Sequence, residues 1–183
     1  MRAFLAVDLN DSLKRKVLEV QGKVKEANSI VKFVEKENLH FTCKFFGEIS
    51  GEKADTISQI IEEKIEKFKP FQIKIRGTGV FPHYGHVRVI WLGLEDTEYF
   101  SRILKDFDEE FKTMGFKKNK SYIPHLTIGR VKGSKNKEAL VSKIKEMEGM
   151  KIGSMKVDRM QLKKSELTPE GPVYTSVQPV DLT

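Results

Sequence analysis

Apolar and polar residues follow two different periods along the chain, and the period changes from one segment to the next. Alternation of apolar with polar residues is typical of a half-buried β-strand, and a repeat of three to four residues is typical of an amphipathic helix. The strand pattern is found in RAFLAVDL, IVKFV, LHFTCKFFGEI, FQIKIRG, HVRVIWLGL, HLTIGRV, KVDRMQLKKS and PVYTSVQPV. We therefore predict strands at these places, with GTGVFPHYG as a glycine- and proline-rich loop between two of them.

Helical spacing is found in four of the segments between these strands. The first begins at Asp11 and Ser12, which we predict to cap it, and has apolar residues at positions 13, 17, 20 and 24. The second occupies SGEKADTISQIIEEKIEKF and ends before Pro70. We expect the third at about residues 96–114, ended by Gly115, and the fourth near residues 136–147.

This order of elements predicts an α+β fold rather than a regular parallel series, and no glycine-rich nucleotide loop follows any predicted strand. The stretch HFTCKF at 40–45 is echoed by HLTIGR at 125–130, each in a similar setting. We interpret the echo as two lobes of similar build, each an antiparallel-rich sheet backed by helices. The expected organisation is one bilobal domain spanning residues 1–183.

Composition indicates a water-soluble protein with a polyanionic partner. Charged residues make up 32% of the chain, the net charge is +7 and the pI is about 9.3. A stretch from position 111 to 137 has eight basic residues and no acidic one, namely Lys112, Lys117, Lys118, Lys120, Arg130, Lys132, Lys135 and Lys137. That stretch surrounds HLTIGR and favours a nucleic-acid or phosphate site over a merely solvated face.

The cellular setting is predicted from what the sequence lacks. It has no apolar run long enough to span a bilayer and no signal-peptide pattern, and Cys43 is the single cysteine. We expect a cytoplasmic protein without disulfides that does not associate with membranes. With no signal for an oligomer, we expect a monomer.

The two His-x-Thr stretches are the strongest candidates for chemistry. Side chains two residues apart on a strand point to the same face, so His40, Thr42 and Lys44 are expected to share one face. His125 and Thr127 are expected to do the same on another strand. If the two faces meet, one cleft holds two imidazoles and two hydroxyls.

Such a set suits acid-base chemistry at phosphorus. One imidazole can accept a proton from an attacking oxygen while the other, in its cationic form, protonates the leaving oxygen. The hydroxyls can donate hydrogen bonds to the non-bridging oxygens, and neither a metal nor another cofactor is required. Read from the residues alone, the two motifs are chemically equivalent.

The sequence pattern is also compatible with other functions. The same cleft suits a non-catalytic nucleotide or RNA-binding module, or a phosphodiesterase for a small cyclic nucleotide or an ADP-ribose cyclic phosphate. His83 and His86 form a His-x-x-His pair, but no acidic or thiol cluster accompanies them, and we interpret them as solvated loop residues.

Several stretches resemble the two-histidine phosphoesterase superfamily, in its RNA 2',3'-cyclic phosphodiesterase or 2'-5' RNA ligase branch. The stretches are RAFLAVDL, ENLHFTCKFFGEI, VRVIWLGL, YIPHLTIGRV and LKKSELTPEGPVY, and they occur in order over nearly the whole chain. The sequence departs from the family where Phe33 replaces a frequent tryptophan and where Cys43 and Phe46 replace aliphatic residues.

The resemblance implies a bilobal fold with pseudo-two-fold symmetry and a central cleft that holds both motifs. It also implies hydrolysis of RNA 2',3'-cyclic phosphate ends to 2'-phosphates without metal, and some members join tRNA halves through a 2'-5' bond. By position, His40 would be the proton donor and His125 the proton acceptor, with Thr42 and Thr127 holding the phosphate. We further expect Arg130 and Lys44 to contact the substrate.

Overall fold

The computed structural model describes the backbone of residues 1–181 and the side chains of residues 1–177. Its elements are β1 (Arg2–Asp8), α1 (Asp11–Lys25), β2 (Val31–Phe33), a short 3-10 helix (Lys36–Asn38), β3 (His40–Glu48), α2 (Gly51–Ile65), β4 (Phe71–His83), β5 (His86–Glu95), α3 (Glu98–Thr113), β6 (Leu126–Val131), α4 (Lys137–Glu146), β7 (Lys151–Val157), β8 (Arg159–Thr168) and β9 (Gly171–Asp181). Helices and antiparallel strands alternate irregularly, which confirms the α+β prediction.

The strands form two antiparallel sheets. The four-stranded sheet has the order β3-β1-β8-β9, and the five-stranded sheet has the order β2-β6-β5-β4-β7. Neither sheet corresponds to one half of the sequence, because the chain passes between the sheets several times. The echo of the first motif in the second therefore marks equivalent positions on two interleaved lobes.

The helices cover the two sheets, and the buried apolar side chains form one continuous core cluster. Helices α1 and α4 contact each other and strands of the five-stranded sheet, whereas α2 and α3 contact each other and strands of the four-stranded sheet. Of the helices in residues 1–181, none has the length and apolar character that crossing a bilayer requires.

The N-cap of helix α1 lies one residue earlier than the sequence pattern suggests. Its cap is Asn10, whose side-chain oxygen accepts a hydrogen bond from the backbone N–H of Leu13 at 2.8 Å. The prediction of Asp11 and Ser12 as the cap is thus wrong, since Asp11 already lies in the first helical turn. The apolar positions 13, 17, 20 and 24 are all buried, as the spacing predicts.

The segment GTGVFPHYG, predicted as a loop, is mostly strand. β4 continues through it to His83, and only Tyr84 and Gly85 form the turn to β5. Gly77 accommodates a positive φ of 76° at an irregularity of the ladder, which lets the strand continue. Pro82 lies beyond the part of β4 that pairs with β7, where its missing N–H leaves no ladder bond unmade on that side.

Candidate active site

The first His-x-Thr stretch lies on β3, and a bulge occurs directly after its threonine. Two consecutive residues of β1 pair with Thr42 and Lys44, which leaves Cys43 as the extra residue on β3. The bulge reverses the alternation of side chains beyond it. As a result, Lys44 is 4% exposed and points into the protein, and Phe45 is 51% exposed.

The prediction that Lys44 shares a face with His40 and Thr42 is therefore wrong. Its ammonium group lies 2.5 Å from a carboxylate oxygen of the buried Asp108 on α3 and 2.5 Å from the carbonyl oxygen of Lys117. Some of its atoms border the cleft, but its charge is neutralised inside the protein. A substrate contact by Lys44 stays a prediction without geometric support.

The second stretch repeats the same local structure. On β6, two consecutive residues of β5 pair with Thr127 and Gly129, and Ile128 is the extra residue. Arg130 beyond the bulge is exposed and lines the same cleft as Thr127. In both motifs the fifth residue after the histidine thus lies on its face, Phe45 in one and Arg130 in the other.

Both motifs open into one cavity of about 770 Å³, at the place where strands of the two sheets meet. The cavity is lined by residues that include His40, Thr42, His125, Thr127, Arg130, Phe45, Arg2 and Tyr174. β3 and β6, which belong to different sheets, also contact each other there. The structure therefore brings together all four residues of the paired motif, as predicted.

The ring of His40 is held by its own chain. Its Nδ1 lies 2.6 Å from the carbonyl oxygen of Asn38, and an N–H at Nδ1 donates to that oxygen. This tautomer leaves Nε2 to face the hydroxyl oxygen of Thr42 at 2.9 Å. The rings of Phe4 and Tyr174 pack against the imidazole at centroid distances of 5.0 and 5.3 Å.

For His125, the backbone of Ile123, which also lies two residues before its histidine, acts on the ring by raising its pKa. Its aromatic neighbours are Phe81, with centroids 5.0 Å apart, and Trp91, at 6.0 Å. Each lobe thus supplies one imidazole with aromatic rings packed against it.

Both histidines favour the neutral state in the free protein. Burial lowers the pKa of His40 below the ordinary value of about 6.5, and the nearby Lys163 ammonium lowers it further, against a hydrogen bond to Asn38 that raises it. Burial likewise lowers the pKa of His125, against its hydrogen bond to Ile123. A bound phosphate would oppose this effect, because a negative charge favours the imidazolium form.

A buried polar network connects the two motifs. Asp108 accepts hydrogen bonds from Lys44, from the hydroxyl of Tyr122 at 2.7 Å and from the backbone N–H of Asn119 at 2.7 Å. The side chain of Asn119 donates to the carbonyl oxygen of the bulge residue Cys43 at 3.1 Å. The bulge of the first motif is therefore tied to the loop that leads to His125.

This network also determines the charge state of its carboxylate. Burial opposes ionisation of Asp108, but the hydrogen bonds from Lys44, Tyr122 and Asn119 hold its pKa below the usual range. No short-range pattern in the sequence indicates these contacts, which join positions far apart along the chain.

Only part of the predicted basic stretch faces the cleft. Arg130 and Lys132 line it, together with Lys32 from β2. Lys118 instead pairs with Glu109, and Lys137 donates to the backbone carbonyl of Gly85. The residues of this stretch that line the cleft therefore lie at the end of the second motif.

Other residues considered from the sequence have varied positions. Phe33 lines the cleft, and the ammonium of Lys25 lies 5.1 Å from its ring centroid. His83 and His86 face each other across the β4–β5 hairpin, where both are exposed and neither lines the cleft. Among the side chains of residues 1–177, no group of three or more potential metal ligands is found.

The cleft residues that were not singled out from the sequence include Arg2, Phe45 and Tyr174. Arg2 and Tyr174 lie near opposite ends of the chain but on β1 and β9 of the same sheet. Both occur within stretches that carry the family resemblance, RAFLAVDL and LKKSELTPEGPVY. That occurrence is the one signal that could have indicated them.

Comparisons with known proteins identify the family of this chain. A profile of the 2'-5' RNA ligase superfamily matches residues 11–168. A protein of Methanothermobacter thermautotrophicus named RNA 2',3'-cyclic phosphodiesterase is 47% identical over 178 residues, covering 97% of each chain. A protein of the same name from Methanocaldococcus jannaschii is 38% identical over 178 residues, covering 97% of this chain and 99% of that one.

Solved structures show the same fold. The crystal structure of TT0787 of Thermus thermophilus matches with a TM-score of 0.85 at 28% identity, covering 100% of this chain and 98% of that one. The apo structure of E. coli LigT matches with a TM-score of 0.74 at 21% identity, covering 100% of this chain and 97% of that one. By its profile match and its relatives, this chain belongs to the 2'-5' RNA ligase superfamily.

Proposed function

We propose that this protein is an RNA 2',3'-cyclic phosphodiesterase that works without a metal, as a cytoplasmic monomer with one bilobal domain spanning residues 1–183. The observation that carries the proposal is the convergence of both His-Thr pairs on one cavity. The relatives named for this activity support the choice of RNA as the substrate class.

The hydrolytic step needs one proton acceptor and one proton donor. Neutral His125 removes a proton from water, whose oxygen attacks phosphorus opposite the 3' oxygen. The bond from phosphorus to the 3' oxygen breaks, and protonated His40 gives its proton to that oxygen. The products are a 2'-phosphate and a 3'-hydroxyl, with the two histidines having exchanged charge states. Exchange with solvent restores them.

The assignment of donor and acceptor comes from the family resemblance, while the geometry supports the need for both groups. An anchored Nδ1 leaves Nε2 of His40 as the atom that faces the cleft beside Thr42. The hydrogen bond at Nδ1 keeps the ring of His40 in one orientation, with Nε2 facing the cleft. This fixed orientation reduces the entropic cost of reaching the transition state.

Charge that develops on the phosphate is stabilised by groups on both walls. Thr42 and Thr127 donate hydrogen bonds to the non-bridging oxygens, and the Arg130 guanidinium lies further along the same face as Thr127. Since the histidines transfer the protons and these groups stabilise the charge, no step requires a metal ion.

The same arrangement accommodates ligation of RNA ends, including tRNA halves. If a 5'-hydroxyl replaces water, His125 deprotonates that hydroxyl and the product is a 2'-5' phosphodiester with a free 3'-hydroxyl. The superfamily's name supports this second reaction. Hydrolysis is favoured as the main activity because the two archaeal relatives compared with this chain are named for it.

The test is incubation of the purified protein with EDTA and a short RNA that ends in a 2',3'-cyclic phosphate. We expect a 2'-phosphate, identified by mass, phosphatase sensitivity and 2'- and 3'-phosphate standards. The His40→Ala variant, purified in parallel, controls for contaminating nuclease. A 3'-phosphate product would contradict the proposed placement of the donor.

Two alternatives make different predictions in the same assay. An RNA-binding module would bind the cyclic end and leave it unchanged. A phosphodiesterase for small cyclic nucleotides would open a mononucleotide as well as an oligonucleotide, with little dependence of affinity on salt. RNA binding that weakens steeply as salt rises favours the polyanionic substrate.

A further inference from the structure

Gln21 is a buried polar residue on the apolar face of helix α1. It is 1% exposed, and the helix buries Val17, Val20 and Val24 on the same side. The amphipathic pattern of α1 predicts an apolar residue at this position. Burial of an amide is unfavourable unless its hydrogen bonds are made, so the partners of Gln21 explain its presence.

Both partners of this amide are backbone carbonyl groups. Nε2 of Gln21 donates to the carbonyl oxygen of Ile128 and to that of Val34, each at 2.9 Å. Ile128 is the bulge residue of the second motif, and Val34 directly follows β2. The carbonyl of Ile128 also accepts from the backbone N–H of Val34 at 3.0 Å. One amide thus bridges two neighbouring strands at the bulge.

The bulge at Ile128 determines which side chains of β6 face the cleft. In a regular strand, Gly129 would share the face of Thr127, and Arg130 would point to the opposite face. The extra residue reverses the alternation, and Arg130 therefore lines the cleft with Thr127. A contact that fixes the carbonyl of Ile128 thus helps to fix the direction of Arg130.

The bulge of the first motif is held by the same chemical group. The side-chain amide of Asn119 donates to the carbonyl oxygen of Cys43 at 3.1 Å, and Cys43 is the bulge residue of β3. Asn119 belongs to the segment between α3 and β6, whereas Gln21 belongs to α1. Two distant parts of the chain therefore place an amide on the equivalent carbonyl of each motif. This repetition associates the contact with the motif rather than with local packing.

We propose that Gln21 is a positioning residue of the candidate active site, which holds the Ile128 bulge from the core so that Arg130 faces bound RNA. The proposal rests on the proposed function, since it takes RNA as the ligand. Gln21 does not line the cleft, so it acts through the backbone of β6. Bulges next to active sites commonly redirect a side chain, and this one is held by a side chain from outside its own sheet.

The test is the salt dependence of binding of a short single-stranded RNA that ends in a 2'-phosphate. Each phosphate contact on a single strand contributes about 0.7 to the slope of log affinity against log salt. Gln21→Met keeps the length of the side chain and changes no charge, but it removes both hydrogen bonds. It should lower the slope by about 0.7, as Arg130→Gln should, because the guanidinium loses its phosphate contact.

A double variant separates positioning from a general loss of stability. If Gln21 acts through Arg130, Gln21→Met combined with Arg130→Gln should have the slope of Arg130→Gln alone. Gln21→Leu, a shorter apolar replacement, should lower the slope as Gln21→Met does and repeats the measurement on an independent variant.

The matched control is Thr78→Val, in β4 of the same sheet. Thr78 is 7% exposed, and its hydroxyl donates to the carbonyl oxygen of Ile144 at 2.5 Å, but it does not line the cleft. This variant also loses a buried hydrogen bond to a backbone carbonyl. It should keep the wild-type slope.

An unchanged slope in both Gln21 variants, an equal decrease in Thr78→Val, or a further decrease in the double variant would overturn the proposal. Failure of the wild type to bind the RNA would overturn it as well. Because binding is measured without turnover, the result is separate from the hydrolysis assay. Absence of hydrolysis with the expected slopes would overturn the proposed function and leave the role of Gln21 in place.

Discussion

The two walls of the cleft share their local structure but differ in the residues beyond the histidine and threonine. Each motif has a bulge directly after the threonine and an imidazole with aromatic rings packed against it. Beyond the bulge, the first wall has Lys44 and Phe45, and the second has Gly129 and Arg130. The shared part suits the reaction, and the differing part suits substrate binding and support of the fold.

The residue four positions after each histidine supports its wall of the cleft in a different way. Lys44 extends into the protein to Asp108. At Gly129, an added Cβ would lie 2.9 Å from a methyl carbon of Val31, so glycine allows β2 to pair closely with β6. One wall is therefore supported by a buried ion pair, and the other by a strand placed against its backbone.

The largest effect is expected where the walls are alike. His40→Ala and His125→Ala should each lower kcat by about 10²- to 10⁴-fold, because each removes one partner of the acid-base pair. Steady-state kinetics on a cyclic-phosphate RNA measures the loss, and circular dichroism checks the fold. Activity within about tenfold of wild type in either variant would show that the two walls do not share the chemistry.

The next effect concerns the buried support found on the first wall alone. Asp108→Asn leaves the Lys44 ammonium buried without its counter-charge, and we expect a loss of about 3–5 kcal/mol in the free energy of unfolding. Urea denaturation measures it. The double variant Lys44→Met with Asp108→Leu should regain most of the stability.

That double variant also separates support of the fold from positioning of the site. It loses the hydrogen bonds that Asp108 accepts from Asn119 and Tyr122 in the loop before His125, so kcat should stay lowered although stability returns. Full recovery of kcat would mean that the network contributes to stability alone.

The threonines should have a smaller effect than the histidines, and similar effects on the two walls. Thr42→Val and Thr127→Val keep the shape but remove the hydroxyl, and each should lower kcat by about 10- to 1,000-fold. Single-turnover rates measure the loss without product release. An undiminished rate in the double valine variant would exclude both hydroxyls from stabilising the phosphate.

The pH dependence of activity tests whether the histidine pKa is lowered on both walls. Activity requires His125 neutral and His40 protonated, and burial lowers the pKa of both in the free protein. As pH rises, His40 loses its proton, so kcat/KM should be bell-shaped with its maximum below about pH 6.5.

A bound substrate phosphate should shift the alkaline limb of the pH–rate profile. Its negative charge raises the pKa of His40, so the alkaline limb of kcat should lie at higher pH than that of kcat/KM. pH–rate profiles from about pH 4 to 9 measure both limbs. A kcat/KM maximum well above pH 7 would contradict the pKa directions given for the free protein.

The smallest effect is expected from the cation on the second wall. Arg130→Gln should weaken RNA binding and reduce the slope of log affinity against log salt by about 0.7, the value for one phosphate contact on a single strand. Arg88→Gln is the control, since Arg88 is exposed on β5 and does not line the cleft. An equal slope change in both variants would indicate a general charge effect.

The alternation of residues predicted the fold class and the four motif residues because both depend on local pattern. His40 and Thr42 share a face through a two-residue period that holds up to the bulge. The same rule failed for Lys44 because Cys43 shifts the phase, and nothing in HFTCKF distinguishes a bulged strand from a regular one. The cleft residue Phe45 was missed for the same reason, and Arg2 was missed because sheet order joins distant strands.

The loop prediction for GTGVFPHYG failed for a related reason. Glycine and proline usually interrupt strands, but here tertiary pairing with β5 extends from Thr78 to His83 and overrides local preference. Helix α1 differs at its cap because Asn10, Asp11 and Ser12 are all suitable capping residues, and the backbone selects the first of them.

The central claim is that the two walls perform different halves of one proton-transfer reaction. The most direct measurement uses an RNA end whose bridging 3' oxygen is replaced by sulfur, since a thiolate departs without needing a proton donor. On this substrate we predict that His40→Ala turns over at a rate near that of wild type, while His125→Ala stays severely impaired. Recovery by His125→Ala instead, or continued impairment of both variants, would contradict the assignment.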